Sequence, residues 1–163
     1  MNIVFLSTHF PPDFIGGGEI STYYIAKALI RRGHNVIIYT AGNQKKEEVY
    51  RGLKIKKFPF IKQKYYLFER PFVKNVARLL EKELERSDII HAHDIRSILI
   101  LSEITKFKNK VATIRDYSPI CGAYTRLLTN GKICNHCSSQ NLLKNCAAIK
   151  KLNFPQIYLR CFR

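Results

Sequence analysis

The chain has 163 residues, 46% of them hydrophobic, which is enough for one compact domain with its own core and argues against wholesale disorder. Its formal charge is +16, so an anionic partner is favoured over a cationic one: a nucleic acid, an acidic membrane surface or a phosphorylated small molecule. No stretch approaches the roughly 20 apolar residues of a transmembrane helix, and the opening Met1-Asn2-Ile3-Val4-Phe5-Leu6 lacks a basic leader region, so the reading is cytoplasmic.

Ile3 to Ser7 is a short apolar run of the kind that forms a buried parallel strand. Thr8 to Gly18 reads as a loop punctuated by Pro11-Pro12 and Gly16-Gly17-Gly18. Glu19 to Arg32 has helical spacing, with Ile20, Tyr23, Tyr24, Ala28 and Leu29 predicted to share a face and Gly33 to end the helix. Asn35 to Thr40 is a β-branched strand. This β-loop-α-β unit is the opening of a doubly wound fold. Leu53 to Lys56 alternates as a half-exposed strand, a candidate for the sheet's edge. Glu69 to Arg86 reads as a long helix with Phe72, Val76, Leu79, Leu80 and Leu84 inward. A buried strand over Asp88 to His93, a helix over Ser97 to Lys106 and a strand over Lys110 to Ile114 follow. The alternation predicts an α/β, Rossmann-like, mostly parallel sheet with helices on both faces.

The glycines of Gly16-Gly17-Gly18-Glu19 stand at the carboxyl end of the first strand, where ligands bind in open α/β sheets. Backbone N–H groups can approach a phosphate there, and a helix amino terminus favours negative charge. Neither the G-x-G-x-x-G dinucleotide pattern nor a Walker A loop is matched. The plain alternative is a connecting turn.

In order and spacing, several stretches resemble glycosyltransferase family 4. They are Met1 to Pro12, Gly16-Gly17-Gly18-Glu19, Ala26-Lys27-Ala28-Leu29, Arg32-Gly33-His34-Asn35-Val36 and Asp88-Ile89-Ile90-His91-Ala92-His93. The resemblance implies a GT-B enzyme of two Rossmann-like domains, retaining in stereochemistry, with no cofactor for the chemistry. It implies that residues 1–163 form the amino-terminal, acceptor-side domain and that a carboxyl-terminal donor-binding domain is missing. The chain is then expected to be inactive alone, and to work with a separate donor-binding domain or chain. The expected substrates are a nucleotide-sugar donor and a glycan, lipid-linked or small-molecule acceptor. Gly16, Gly17, Gly18 and Glu19 would lie by the donor diphosphate.

His93 and Arg115 are the candidate catalytic residues, with Asp116 and Tyr117 as substrate-binding neighbours. His93 ends a strand, where it can meet a phosphate or a sugar hydroxyl, and the plain alternative is a hydrogen-bonded structural histidine. Relatives with the same cysteine pattern often carry His-Asp-Tyr where this chain has Arg115-Asp116-Tyr117. Arginine cannot serve as a base, but it can grip a phosphate in two places.

Residues 117–146 form a Cys-rich segment in which Cys121, Cys134, Cys137 and Cys146 follow the spacing C-x12-C-x2-C-x8-C. Four thiolates can share a structural zinc ion or, as an alternative, hold an iron–sulfur cluster. Two disulfides or plain thiols are the competing readings. The stretch Lys54, Lys56, Lys57, Lys62, Lys64, Tyr65, Tyr66 and Phe68 is cationic and aromatic. It suits an anionic membrane surface at the inner face, a nucleic acid or simply a solvated face. With no nucleic-acid motif present, a basic zinc-knuckle module that binds nucleic acid or an acidic partner is the rival to the transferase.

Overall fold

A computed structural model describes residues 1–13, 16–58, 69–117, 120–121, 125–136, 138 and 146. The chain divides into two compact units, residues 1–63 with 69–115 and residues 64–68 with 116–163.

The first unit contains, in order, β1 (Asn2–Ser7), α1 (Gly17–Arg31), β2 (Asn35–Ala41), β3 (Lys46–Tyr50), β4 (Leu53–Phe58), α2 (Glu69–Leu84), β5 (Ile89–Ala92), α3 (Ile95–Glu103) and β6 (Lys110–Ala112). The strands form one sheet in the order β3-β4-β2-β1-β5-β6, parallel throughout except for β3. β1 lies between β2 and β5, so the direction of winding reverses beside it. This is the doubly wound α/β architecture expected from the alternation of elements.

Period-two alternation along each strand divides the core into two layers. Val4 and Leu6 of β1 join Tyr39, Ile90 and Ala92 on one face, covered by Val76, Ala77, Leu80 and Leu84 of α2 and Ile100 and Leu101 of α3. Ile3 and Phe5 join Val36, Ile38, Leu53 and Ile55 on the other face, under Ala26 of α1. Both faces are covered, which is why β1 is a continuous apolar run and not an alternating one.

Several expectations are corrected. The inward face of α1 is not the Ile20/Tyr24 stripe, since those side chains are 43% and 62% exposed. Small Thr22 and Ala26 are fully buried instead, flanked by Tyr23, Ile25, Leu29 and Ile30, so the backbone of α1 comes close to the sheet. In α2, Leu79 points to solvent, while Val73 and Ala77 take the buried positions beside Val76, Leu80 and Leu84. The side chain of Phe72 lies outside the described residues. Helix α3 starts earlier than expected, because Asp94 caps it by accepting a hydrogen bond from the Ser97 amide, and it ends at Glu103, where Ile104 turns to extended backbone.

The edge position belongs to β3, and β4 sits one strand inside it. The two strands form a hairpin across Arg51 and Gly52, which both have positive φ, as a tight primed turn requires. Lys46, Glu47 and Glu48 place charge along the outer strand, which discourages pairing with another chain. Lys57 pairs with Asp13 at 2.6 Å and Glu48 at 2.8 Å, and Lys56 with Glu47 at 3.0 Å and Glu83 at 3.6 Å. Much of the basic charge of this region is thus matched locally, and Lys62 to Phe68 lie outside the described residues. No helix among the described residues is long and apolar enough to cross a membrane.

In the second unit, Leu127 and Ile133 bridge across a turn at Gly131, whose φ is +78°, and Leu128 bridges to Cys146. Among its described residues only Cys146 is buried.

Candidate functional site

The carboxyl ends of β1, β5 and β6 and the first turn of α1 converge in the first unit. Gly16 is the cap residue of α1, with extended backbone, and Gly17 and Gly18 are already helical. The glycines expected in a loop therefore form the start of the helix itself. The amides of its first turn have no partner within the helix, and its dipole adds partial positive charge. A side chain at Gly17 would meet nothing within 4 Å, so the backbone there faces open space. Glu19 occupies the same turn, and its charge acts on Arg115.

The loop entering this turn is held from below. Each oxygen of Asp94 accepts twice: Oδ2 from the Thr8 amide at 2.6 Å and the Ser97 hydroxyl at 2.8 Å, and Oδ1 from the Thr8 hydroxyl at 2.7 Å and the Ser97 amide at 3.0 Å. One carboxylate thus joins the end of β1 to the start of α3. Ala41 donates to the Thr8 carbonyl at 3.2 Å, which ties in β2 as well. Asp94 is not among the residues expected at the site from the sequence. Its signal was available: an aspartate immediately before an apolar helix is a common cap.

His93 lies just past β5 and is 3% exposed. Its ring packs on Phe5 at 4.3 Å and on His91 at 4.0 Å between centroids. A guanidinium N–H of Arg115 donates to Nδ1 of His93 at 3.0 Å, and Nε2 is buried without a partner among the described residues. Burial, then the neighbouring His91 and Arg115, push the His93 imidazole down to about 3, so the ring is neutral at physiological pH. An arginine can only donate, so Nδ1 is the acceptor and the proton resides on Nε2. A buried N–H left unpaired costs about 1–3 kcal/mol, recovered when an acceptor arrives. His91 shares a 2.7 Å hydrogen bond with Thr113 and is likewise shifted down by burial.

Arg115 follows β6 and reaches back to α1. Its Nη1 donates to the Gly18 carbonyl and, at 2.8 Å, to the Thr22 hydroxyl, which itself donates to the Gly18 carbonyl at 2.9 Å. A side chain at Gly18 would sit 3.4 Å from that nitrogen, in ordinary van der Waals contact with the guanidinium. The structure therefore brings together His93, Arg115, Gly18 and the previously unremarked Thr22. Gly16, Gly17 and Glu19 adjoin them.

Asp116, Tyr117 and the cysteines belong to the second unit. The Arg126 guanidinium lies over the Tyr117 ring at 5.4 Å. The Cys134 thiol donates to the His136 carbonyl at 3.3 Å, and Cys121 and Cys134 are half-buried thiols. Cys137 lies outside the described residues. Among the described residues no three His, Cys, Asp or Glu side chains gather as a metal site.

A glycine-initiated helix thus stands at the point where the sheet of a doubly wound domain reverses, with a histidine and an arginine beside it, at the strand ends where open α/β sheets bind ligands. The model of Glycosyltransferase Family 4 matches residues 15–118, and the chain belongs to that family. It is similar to an uncharacterized 42.6 kDa protein in the cps region of Klebsiella pneumoniae, with 29% identity over 76% of this chain and 40% of the relative. It is also similar to an uncharacterized glycosyltransferase of Methanocaldococcus jannaschii, with 30% identity over 58% of this chain and 25% of the relative. The chain thus spans well under half the length of either. In fold it is similar to sucrose-phosphate synthase of Thermosynechococcus elongatus, with a TM-score of 0.52 and 16% identity over 68% of this chain and 31% of that one.

Proposed function

We propose that this chain is the acceptor-side domain of a retaining glycosyltransferase that moves a sugar from a nucleotide-sugar donor to a glycan or lipid-linked acceptor. It acts together with a donor-binding domain, in the same polypeptide or a separate one, and is inactive alone. The observation that carries this reading is the first turn of α1, where Gly17 leaves the helix amides open at the sheet's reversal point. A donor diphosphate placed there gains N–H hydrogen bonds and the helix dipole. Transfer needs no metal in this scheme, because backbone amides and cationic side chains balance the leaving phosphate. His93 and Arg115 stand one layer behind the turn, His93 offering its Nε2 proton and Arg115 fixing the start of the helix. Asp116 and Tyr117 are assigned to the acceptor. The matched charges on Lys56 and Lys57 weaken the nucleic-acid alternative, since both already have acidic partners.

The test is consumption of a panel of nucleotide sugars by the intact gene product, native and with Gly17→Ala. Alanine fits sterically and helix propensity favours it by up to about 1 kcal/mol, so stability should hold or rise. Turnover should fall at least tenfold. Equal turnover in the variant, or no consumption of any donor by the native protein, would overturn the reading.

In the same scheme Cys121, Cys134, Cys137 and Cys146 hold a structural zinc ion. The thiol chemistry suits it, and the second unit has little apolar core among its described residues. The described thiols do not assemble three ligands, so no chemical step is assigned to the ion.

A further inference from the structure

The geometry points to Arg115 as a positioning residue that fixes His93 in its Nε2–H tautomer, so that His93 serves as a hydrogen-bond donor and not as a proton acceptor. Three observations converge on this. First, the contact between Arg115 Nη2 and His93 Nδ1, at 3.0 Å, has one possible polarity, because guanidinium nitrogens carry protons and offer no lone pair. Second, the guanidinium is not free to withdraw: its Nη1 is held by the Gly18 carbonyl and the Thr22 hydroxyl, and Thr22 is fully buried. Third, the ring itself cannot turn readily, being packed between Phe5 and His91 and only 3% exposed. The one lone pair of the neutral imidazole is therefore occupied, and its one proton is directed away from Arg115.

The charged and titratable groups around the ring agree with a neutral state. His91 on β5 and Arg115 after β6 both disfavour a positive charge on His93, while Glu19 of α1 and Asp94 before α3 favour the charge on Arg115. A histidine that must act as a base needs an open nitrogen within reach of the proton that it takes. His93 has none. In the transferase reading above, on which this consequence alone rests, His93 gives a hydrogen bond to a hydroxyl or phosphoryl oxygen. Proton transfer from the acceptor must then be handled by another group, such as the departing phosphate. Arg115 also couples the ring to the first turn of α1, since the same guanidinium touches both.

The test is nitrogen-15 NMR of the imidazole rings of this chain near pH 7, without any ligand, with His93 identified by the signals lost in His93→Gln. The expected result is a protonated Nε2 and an unprotonated Nδ1 in the native protein. Arg115→Met should shift His93 to a mixture of the two tautomers, or to partial protonation, while the signals of His34 and the rest of the fold stay in place. A native ring carrying its proton on Nδ1, or on both nitrogens, would overturn the inference even if the variant does not fold. So would an Arg115→Met protein whose His93 remains wholly Nε2–H. Because no substrate enters the measurement, failure here is separate from failure of the transferase reading.

Discussion

The two units of the chain are organised by different means. In the first, two apolar layers clamp a parallel sheet, and side chains such as Phe5, Leu6, Ile38, Leu80 and Ile90 are wholly withdrawn from water. Burying each such side chain contributes about 1.5–3 kcal/mol. In the second, the described residues offer one buried side chain, that of Cys146, and a short bridged turn. The contrast also separates roles: the first unit holds a preformed constellation around α1, while the second carries the groups assigned to an acceptor and to a metal.

The sharpest way to break this comparison is at the cysteines. Elemental analysis should find about one zinc per chain, and a strong chelator or Cys137→Ser should abolish order in the second unit, since structural zinc contributes on the order of 10 kcal/mol. The sheet of the first unit should keep its circular-dichroism signal. No metal together with five free thiols would sink the zinc assignment. In the first unit, Leu80→Ala should lower stability by about 2–5 kcal/mol, measured by urea unfolding, because Leu80 is fully buried against the sheet. A cost below about 1 kcal/mol would mean that α2 is not clamped as described.

A graded, pH-dependent effect comes from His93. Its imidazole is held at about 3 in the folded chain, below the ordinary histidine value in the unfolded one. The unfolded state therefore binds the extra proton between about pH 6.5 and 3, and stability is fully present above pH 6.5 and lost as pH falls through that window. His93 alone should contribute a slope of about 1.4 kcal/mol per pH unit there. His93→Gln should remove that slope from the stability–pH curve, leaving the share due to carboxylates and to His91. An unchanged slope would show that His93 is protonated in the native fold.

The sequence by itself determined the class of fold. Continuous apolar runs at Ile3–Ser7 and Asn35–Thr40 can be stable only with both faces covered, and the intervening helical period supplies one of the covers. It also placed the three glycines, because glycines between a strand and a helix of such a unit have one natural place at the strand's carboxyl end. It did not reveal the hairpin partner β3, because Lys46-Glu47-Glu48 has no strand propensity of its own and is held by pairing with β4. It revealed the inward face of α1 in part. Of the residues that apolar spacing marked, Tyr23 and Leu29 pack against the core and Ile20 and Tyr24 do not, while close packing buries Thr22 and Ala26.

Tertiary structure alone decided what Arg115 does. From sequence it was a cation able to grip a phosphate in two places. Only when β6 is laid beside β5, which lies beside β1, does its guanidinium come within reach of His93, Gly18 and Thr22, residues 22, 97 and 93 positions away. Contacts over such separations are set by the order of strands in the sheet, and no local pattern of residues encodes them.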